Sequence, residues 1–407
     1  MALHTVLVIN SGSSSIKYQL VDPDSGQALA SGLVERIGEE MGAITHKHDE
    51  AKTVIEAPVP DHRAGLAKVL ELFESEGPSL AEANIAAVGH RVVQGGRYFD
   101  GPALVNEAVE NRVEALIPLG PLHNGPALAG IRVARQLLPD VPHVVVFDTA
   151  FFQGLPEASA RYALNREVAD KYEIRRYGAH GTSHQYVSST VSQLLGRDDL
   201  KQIVLHLGNG ASASAVVSGR AVDTSMGLTP LEGLVMGTRT GDIDPAAVFH
   251  LARVAGMDAQ ELDHLFNRES GMKGLCGDND MREVWKRIDA GDTQAREAMD
   301  IYIHRLLKYV GSYTAVMGGL DALTFTAGIG ENDAAIRAEL CARLGWLGVE
   351  LDEQANNQRS PEPRVVSTPD SKVKVLVVPT NEELAIARKS AAIADAGQDT
   401  YGNTFSK

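Results

Sequence analysis

Nowhere in the 407 residues does an apolar run approach the roughly 20 residues that cross a bilayer. The opening Met1 to Thr5 leads straight into an apolar strand, without a basic stretch, long apolar segment and cleavage site. Both absences predict a soluble, cytoplasmic protein with no membrane partner. Cysteine is nearly missing as well. Only Cys276 and Cys341 occur, which excludes a disulfide framework and fits a reducing compartment. Basic residues are outnumbered, 38 Lys and Arg against 53 Asp and Glu, for a formal charge of −15. Nucleic acid and anionic membrane select basic surfaces, so neither is expected as a main partner. Low-complexity tracts, a Gly-Lys-Ser/Thr phosphate loop and a Gly-x-Gly-x-x-Gly turn after the first strand are all absent.

What is present is a repeated device. Val6-Leu7-Val8-Ile9 runs into Asn10-Ser11-Gly12-Ser13-Ser14-Ser15 and then Ile16-Lys17. About half a chain later, Ile203-Val204-Leu205-His206-Leu207 runs into Gly208-Asn209-Gly210 and then Ala211-Ser212-Ala213-Ser214. Each reads as strand, Gly-bearing polar turn, strand. Alone, such a turn is an ordinary hairpin. Paired, and with Lys17 just past the serines, the turns suit phosphate, because glycine lets backbone N–H groups approach the oxygens. One turn in each half predicts a nucleotide held between two related domains, and 407 residues with 44% hydrophobic content supply both cores.

The pattern between these turns predicts strands first and α/β afterwards, a mixed sheet flanked by helices. Short alternating segments from Val6 to Val59 read as antiparallel strands. Helices are predicted at 62–74, 105–116 and 125–138, with strands at 85–93 and 144–147. The second half repeats the order, with strands over 202–222, helices at 245–254, 259–266 and 295–316, a strand at 322–327, a helix from about Asp333 and a strand at 373–378. Residues 352–371 read as a surface excursion. A helix from Thr380, with Thr380 and Glu383 in capping-box spacing, is long enough to return to the first domain. The predicted domains are 1–150 with about 384–407, and 151–383, which would bind nucleotide.

Several residues invite chemistry. Asp148 ends a buried strand, where open α/β sheets bind ligands, although a cap or turn role is as natural there. Arg91 and Arg239 lie in glycine-rich stretches where a guanidinium can meet phosphate or carboxylate unobstructed. His180, followed by Gly181 and close to Gly178, is placed to donate to a transferring phosphoryl group. His180 and His184 have the spacing of a helical zinc pair, but the glutamate is missing and glycines flank the first histidine, so zinc is rejected. Gly328-Ile329-Gly330-Glu331-Asn332 follows a strand and precedes a helix, a seat for a nucleotide. The capping box would occupy Glu383 and leave Glu382 for magnesium.

Taken in order with Gly89-His90-Arg91-Val92-Val93, Pro121-Leu122-His123-Asn124, Val146-Phe147-Asp148-Thr149, Gly237-Thr238-Arg239 and Pro379-Thr380-Asn381-Glu382-Glu383, these motifs closely resemble the acetate kinase family, from residue 5 to about 390. The resemblance implies two duplicated ribonuclease-H-like domains with the active site in the cleft between them, and a homodimer. It implies ATP-dependent, reversible phosphorylation of acetate to acetyl phosphate, with magnesium, or manganese in its place. Asp148, His180, Arg239 and Arg91 would be catalytic. Asn10 and Glu382 would hold the metal. Arg91, Lys17, Val93, Leu122, Ala179 and Pro230 would meet the acid. Lys17, His206, Leu207, Gly208, Asn209, Gly210, Asp280, Met281, Arg282, Gly328, Ile329, Gly330, Glu331 and Asn332 would meet ATP.

Three positions depart from the family pattern. Ser11 replaces a common alanine, Gln94 a usual histidine, and Ala179 a usual phenylalanine, the last bearing on acyl-chain preference. A propionate or butyrate kinase of the same fold is therefore one alternative. A chaperone-like or filament-forming ATPase of the same superfamily is another, opposed by the two anion-directed arginines and the lack of an appended peptide-binding domain.

Overall fold

A computed structural model of the chain describes residues 4–396. The residues divide by contact into two compact units, one running to Gln153 and resuming at Asn381, the other spanning Gly154–Thr380. The predicted tail beyond residue 396 lies outside the described residues.

The first unit holds an eight-stranded sheet: β1 (Thr5–Ser11), β2 (Ser15–Val21), β3 (Ala28–Glu35), β4 (Gly42–His48), β5 (Ala51–Ala57), β6 (Ile85–Val92), β7 (Ala103–Leu104) and β8 (His143–Phe147). Their order is β5-β4-β3-β2-β1-β6-β8-β7. The first five pair antiparallel, while β6 and β8 run parallel to β1. Alternation fixes the register. Ile16, Tyr18 and Leu20 of β2 face the core with Leu7 and Ile9 of β1 and Leu66, Val69 and Phe73 of the helix His62–Glu76. A slip by one residue would carry that set to the opposite face.

The second unit has six strands: β9 (Lys201–Leu207), β10 (Ala211–Val217), β11 (Arg220–Thr224), β12 (Ala322–Thr326), β13 (Arg364–Val365) and β14 (Lys374–Val377). They lie in the order β11-β10-β9-β12-β14-β13. The plan is that of the first sheet. Three meandering antiparallel strands, where the first sheet has five, lead to two parallel ones, with a two-residue antiparallel strand at the far edge in each case. The core of this unit is built on the long helix Thr293–Met317, whose Met299, Tyr302, Ile303, Leu306 and Val310 are buried.

Local chemistry moved several predicted boundaries. The helix expected from Gly125 begins at Pro121, because proline is well placed in a first turn even though Pro126 follows within it. The residues 352–371 are not bare excursion: they contain the helix Glu353–Asn357 and edge strand β13. The helix Gly181–Leu195 was not expected at all. The final helix, Glu382–Asp395, is capped by Asn381, whose Oδ1 accepts from Leu384 N at 2.9 Å. Thr380 and Glu383 therefore form no capping box. Thr380 Oγ1 bonds Ser183 Oγ at 2.8 Å, and Glu383 pairs with Lys17.

Candidate active site

In the first unit, parallel pairing of β6 with β8 sets Arg91 beside Val146, one residue pair before the sheet ends at Val92 and Phe147. Asp148 follows at once, its N–H donating to Val92 O at 2.9 Å. Its carboxylate is fully buried and takes Nε of Arg91 at 3.1 Å on Oδ1 and Nη2 at 2.7 Å on Oδ2. Glu382 comes within 3.6 Å of the same Nε. The C-terminal helix can lie this close because Gly89 has no side chain, and a Cβ there would stand 2.6 Å from Ser390 Oγ. Burial opposes the Arg91 charge, but Asp148 and Glu382 outweigh it and raise its pKa. Burial, then the neighbouring Asp148 and Glu383, push Glu382 above the ordinary glutamate range despite Arg91. Lys389 is depressed by burial, with Asp148 opposing the shift.

The turn between β1 and β2 closes through Gly12 N and Ser15 O at 2.8 Å, and pairs Asn10 with Lys17 across the strands. Ser11 turns inward toward Gly130, its hydroxyl buried and without a hydrogen bond among the described residues. Gln94 is buried, and its backbone N–H and C=O are held by the Asn124 amide at 3.0 and 2.9 Å, which fixes the loop after Arg91. Val93 is half-buried and Leu122 half-exposed in this unit.

In the second unit, His180 caps the helix Gly181–Leu195 in the left-handed region, φ 58° and ψ 21°, a conformation that costs a non-glycine residue about 1–2 kcal/mol. Its ring stacks on His206 with centroids 4.2 Å apart. Nδ1 of His180 lies 2.9 Å from Ser212 Oγ, which is also 2.7 Å from Nε2 of His184. His206 Nδ1 meets Ser183 Oγ at 2.8 Å. Gly210 faces this group. A Cβ there would be 3.5 Å from Arg239 Nη1 and 3.8 Å from His180 Nε2, so both side chains border the space above that glycine. Arg239 donates to Pro230 O at 3.2 Å, and no carboxylate among the described residues pairs with it. Burial and the nearby Arg268 lower its pKa. A desolvated cation with no counter-charge is a receptor for an anion.

The same unit contains a cavity of about 820 Å³, lined by Asn209, Asp280, Met281, Arg282, Gly328, Ile329 and Asn332. These seven sequence-predicted ATP residues thus share one cavity of the size that holds a nucleotide. Asn279, Trp285, Asp333, Ala334, Ala335 and Arg359 complete it and were not foreseen. The apolar face of the helix Met281–Asp289 carried a signal for Trp285, four residues after Met281.

The other predicted ATP residues lie elsewhere. Leu207 is core, Gly330 is buried, and Lys17 belongs to the first unit. Residues 327–332 form a short helix rather than a turn, entered through Ala327 at φ 65°. Glu331 is engaged by backbone, accepting from Ala327 N at 2.8 Å and Thr380 N at 3.0 Å. Arg337, fully buried and pushed down to about 10 by that burial, holds the same segment by donating to Gly330 O and Glu331 O at 2.8 and 3.1 Å. Ala179 is buried in the core of the unit, while Pro230 is half-buried.

Comparison with known proteins shows the family. The profile described as the Acetokinase family matches residues 5–388. An acetate kinase of Leifsonia xyli subsp. xyli is 56% identical over 397 residues, 97% of this chain and all of the relative. The solved acetate kinase of Porphyromonas gingivalis superposes with a TM-score of 0.91 at 41% identity, covering 96% of this chain and 99% of that one. A propionate kinase from Francisella tularensis gives the same TM-score at 42% identity, over 96% of this chain and 100% of the other. With its motifs, its two ribonuclease-H-like units and these relatives in agreement over nearly the whole length, the chain belongs to the acetokinase family.

Proposed function

We propose that this chain transfers the γ-phosphoryl group of ATP to acetate, reversibly, giving acetyl phosphate and ADP. The observation that carries the reading is Arg91. Asp148 occupies its Nε and Nη2, and Nη1 makes no hydrogen bond among the described residues. The remaining edge of the guanidinium suits a carboxylate, with Asp148 holding the fork in orientation. Acetate is already ionised at pH 7, so its oxygen needs no general base. The new O–P bond forms as the bond to the β-phosphate oxygen breaks, and the electron pair leaves with ADP. Catalysis then rests on positioning and charge. Arg239 and His180 meet the transferring group, Asp148 holds Arg91, and the cavity around Gly328 and Trp285 takes the nucleoside.

Magnesium fits the residues present. A magnesium ion bound with a nucleotide is commonly held by one or two carboxylates and by substrate phosphates. Glu382, crowded by Asp148 and Glu383, would gain from a divalent cation, and Asn10 offers an amide oxygen. When bound, the ion neutralises phosphate charge. Lys17, Val93, Leu122, Ala179 and Pro230 are assigned to the acid.

A homodimer and a cytoplasmic location are part of the proposal. The helix Ala246–Val254 buries none of its residues, leaving Phe249 60% and Val254 72% exposed, an apolar face that suits a second copy. Among the described residues no helix is long and apolar enough to cross a membrane.

The test is direct. Purified protein with ATP, magnesium and acetate should yield a hydroxylamine-trappable acyl phosphate, and ATP turnover indifferent to a short carboxylic acid would overturn the proposal. Propionate is a second reading, favoured by alanine at position 179 and by the likeness to a protein described as a propionate kinase.

A further inference from the structure

The buried hydroxyls behind His180 form a chain whose proton positions can be worked out from one end. Ser212 and Ser214 are alternate residues of β10, both fully buried on the face that meets the helix Gly181–Leu195. Ser214 Oγ lies 2.7 Å from His184 Nδ1 and makes no other hydrogen bond among the described residues. Were Nδ1 protonated, the Ser214 hydroxyl proton would be buried with no acceptor, a cost of about 1–3 kcal/mol. Ser214 therefore donates and Nδ1 accepts. His184 is completely buried, and burial followed by the neighbouring His206 holds it well below the usual histidine range, so it is neutral. Its single proton then sits on Nε2 and is donated to Ser212 Oγ, 2.7 Å away. The Ser212 proton is left for its remaining partner, His180 Nδ1, at 2.9 Å.

We propose that Ser214, His184 and Ser212 are positioning residues that fix the tautomer of His180, keeping Nδ1 an acceptor so that the ring presents an Nε2–H donor toward the space above Gly210. A proton on Nδ1 would set two donors against Ser212 and strand the serine proton. The chain thereby opposes the imidazolium as well as the wrong neutral tautomer. The groups facing His180 are His206, stacked on it, the neutral His184 behind Ser212, and Arg239 across the Gly210 space, whose guanidinium charge acts in the same sense. A neutral Nε2–H donor stabilises oxygen charge that develops during transfer, without the tight ground-state ion pair a cation would form with ATP. The catalytic use of the donor rests on the proposed phosphoryl transfer; the tautomer itself does not.

The experiment uses full-length protein labelled with ¹⁵N-histidine, with the His180 signals assigned by their loss in His180→Gln. Long-range ¹H–¹⁵N correlation at pH 7, without substrate, should show His180 protonated at Nε2 and unprotonated at Nδ1. In Ser212→Ala that preference should be lost, with kcat falling roughly tenfold and KM for ATP little changed. Ser212→Thr, which keeps the hydroxyl, should restore both. An Nδ1–H tautomer or an imidazolium in the natural protein overturns the inference, as does an unchanged tautomer in folded Ser212→Ala. Because the spectrum needs no substrate, failure to make acetyl phosphate would remove the proposed activity and leave the tautomer assignment standing. Acetyl phosphate formation by a protein with the wrong tautomer would do the reverse.

Discussion

Arg91 and Asp148 meet as a two-point pair, Nε to Oδ1 and Nη2 to Oδ2, on a carboxylate with no solvent exposure. The glycines around Arg91 suggest a residue that can be removed without harm to the fold, and the pair contradicts that. Arg91→Ala leaves Asp148 buried and unpaired, a loss of about 3–5 kcal/mol. Urea denaturation should show it, and the double variant Arg91→Ala/Asp148→Ala should recover much of the difference. Equal stability of the single variant and the natural protein would mean that the pair is not desolvated.

Arg239 behaves oppositely. It is half-buried, desolvation lowers its pKa, and it has no carboxylate partner among the described residues, so its charge weakens the fold. Arg239→Ala should keep or raise Tm while kcat/KM falls about 10²–10³-fold, the scale for losing a preorganised charge at the transferring group. Near-normal turnover in a folded variant would remove Arg239 from the mechanism.

Ser11→Ala should be neutral to stabilising, by up to about 1 kcal/mol, because it deletes a buried hydroxyl that finds no partner. Kinetics should be unaltered, since the side chain faces Gly130. A clear loss of activity would mean that Ser11 turns toward substrate.

Glu382 has its folded pKa raised by burial and by Asp148 and Glu383. A raised carboxyl contributes stability below the ordinary glutamate pKa and loses it as pH climbs through the raised value. Above the raised value the buried, ionised group therefore weakens the protein. Glu382→Gln should raise Tm at pH 7, flatten the decline in stability just above the ordinary glutamate range, and weaken magnesium-dependent turnover. A lower Tm would show that the bond to Arg91 outweighs the burial.

Chain-length preference is best measured on the natural protein. Ala179 is buried among core residues, so Ala179→Phe should overpack the unit by about 1–3 kcal/mol and confuse the comparison. A kcat/KM for propionate equal to or above that for acetate supports the second reading. A tenfold preference for acetate removes it.

Sequence periodicity revealed elements whose buried faces are apolar. The strands from Thr5 to Ala57 and the helices His62–Glu76 and Thr293–Met317 were visible because Ile, Val, Leu and Phe recur at strand or helix spacing. The helix Gly181–Leu195 was not, because its buried face is Thr182, Ser183, His184 and Ser188 together with Val187 and Val191. Hydrogen bonds to Ser212, Ser214 and His206, rather than hydrophobic burial alone, hold that face. The site was legible in the same uneven way. Arg91, Asp148, His180 and Arg239 stand beside glycines or strand ends, whereas Ser212 and Ser214 look like ordinary small residues of a strand. Only their contact with His184 distinguishes them.

The two sheets also align residue by residue where they differ most in chemistry. Val92 pairs with Phe147 as Phe325 pairs with Val377, and the next N–H closes back on the neighbouring strand in both, from Asp148 in one and Val378 in the other. One pair earlier, Arg91 corresponds to Thr324, a buried threonine with an unpartnered hydroxyl. The ion pair that closes the parallel edge of the first sheet thus has no counterpart at the same place in the second, where Thr324 and Val378 stand in the positions of Arg91 and Asp148.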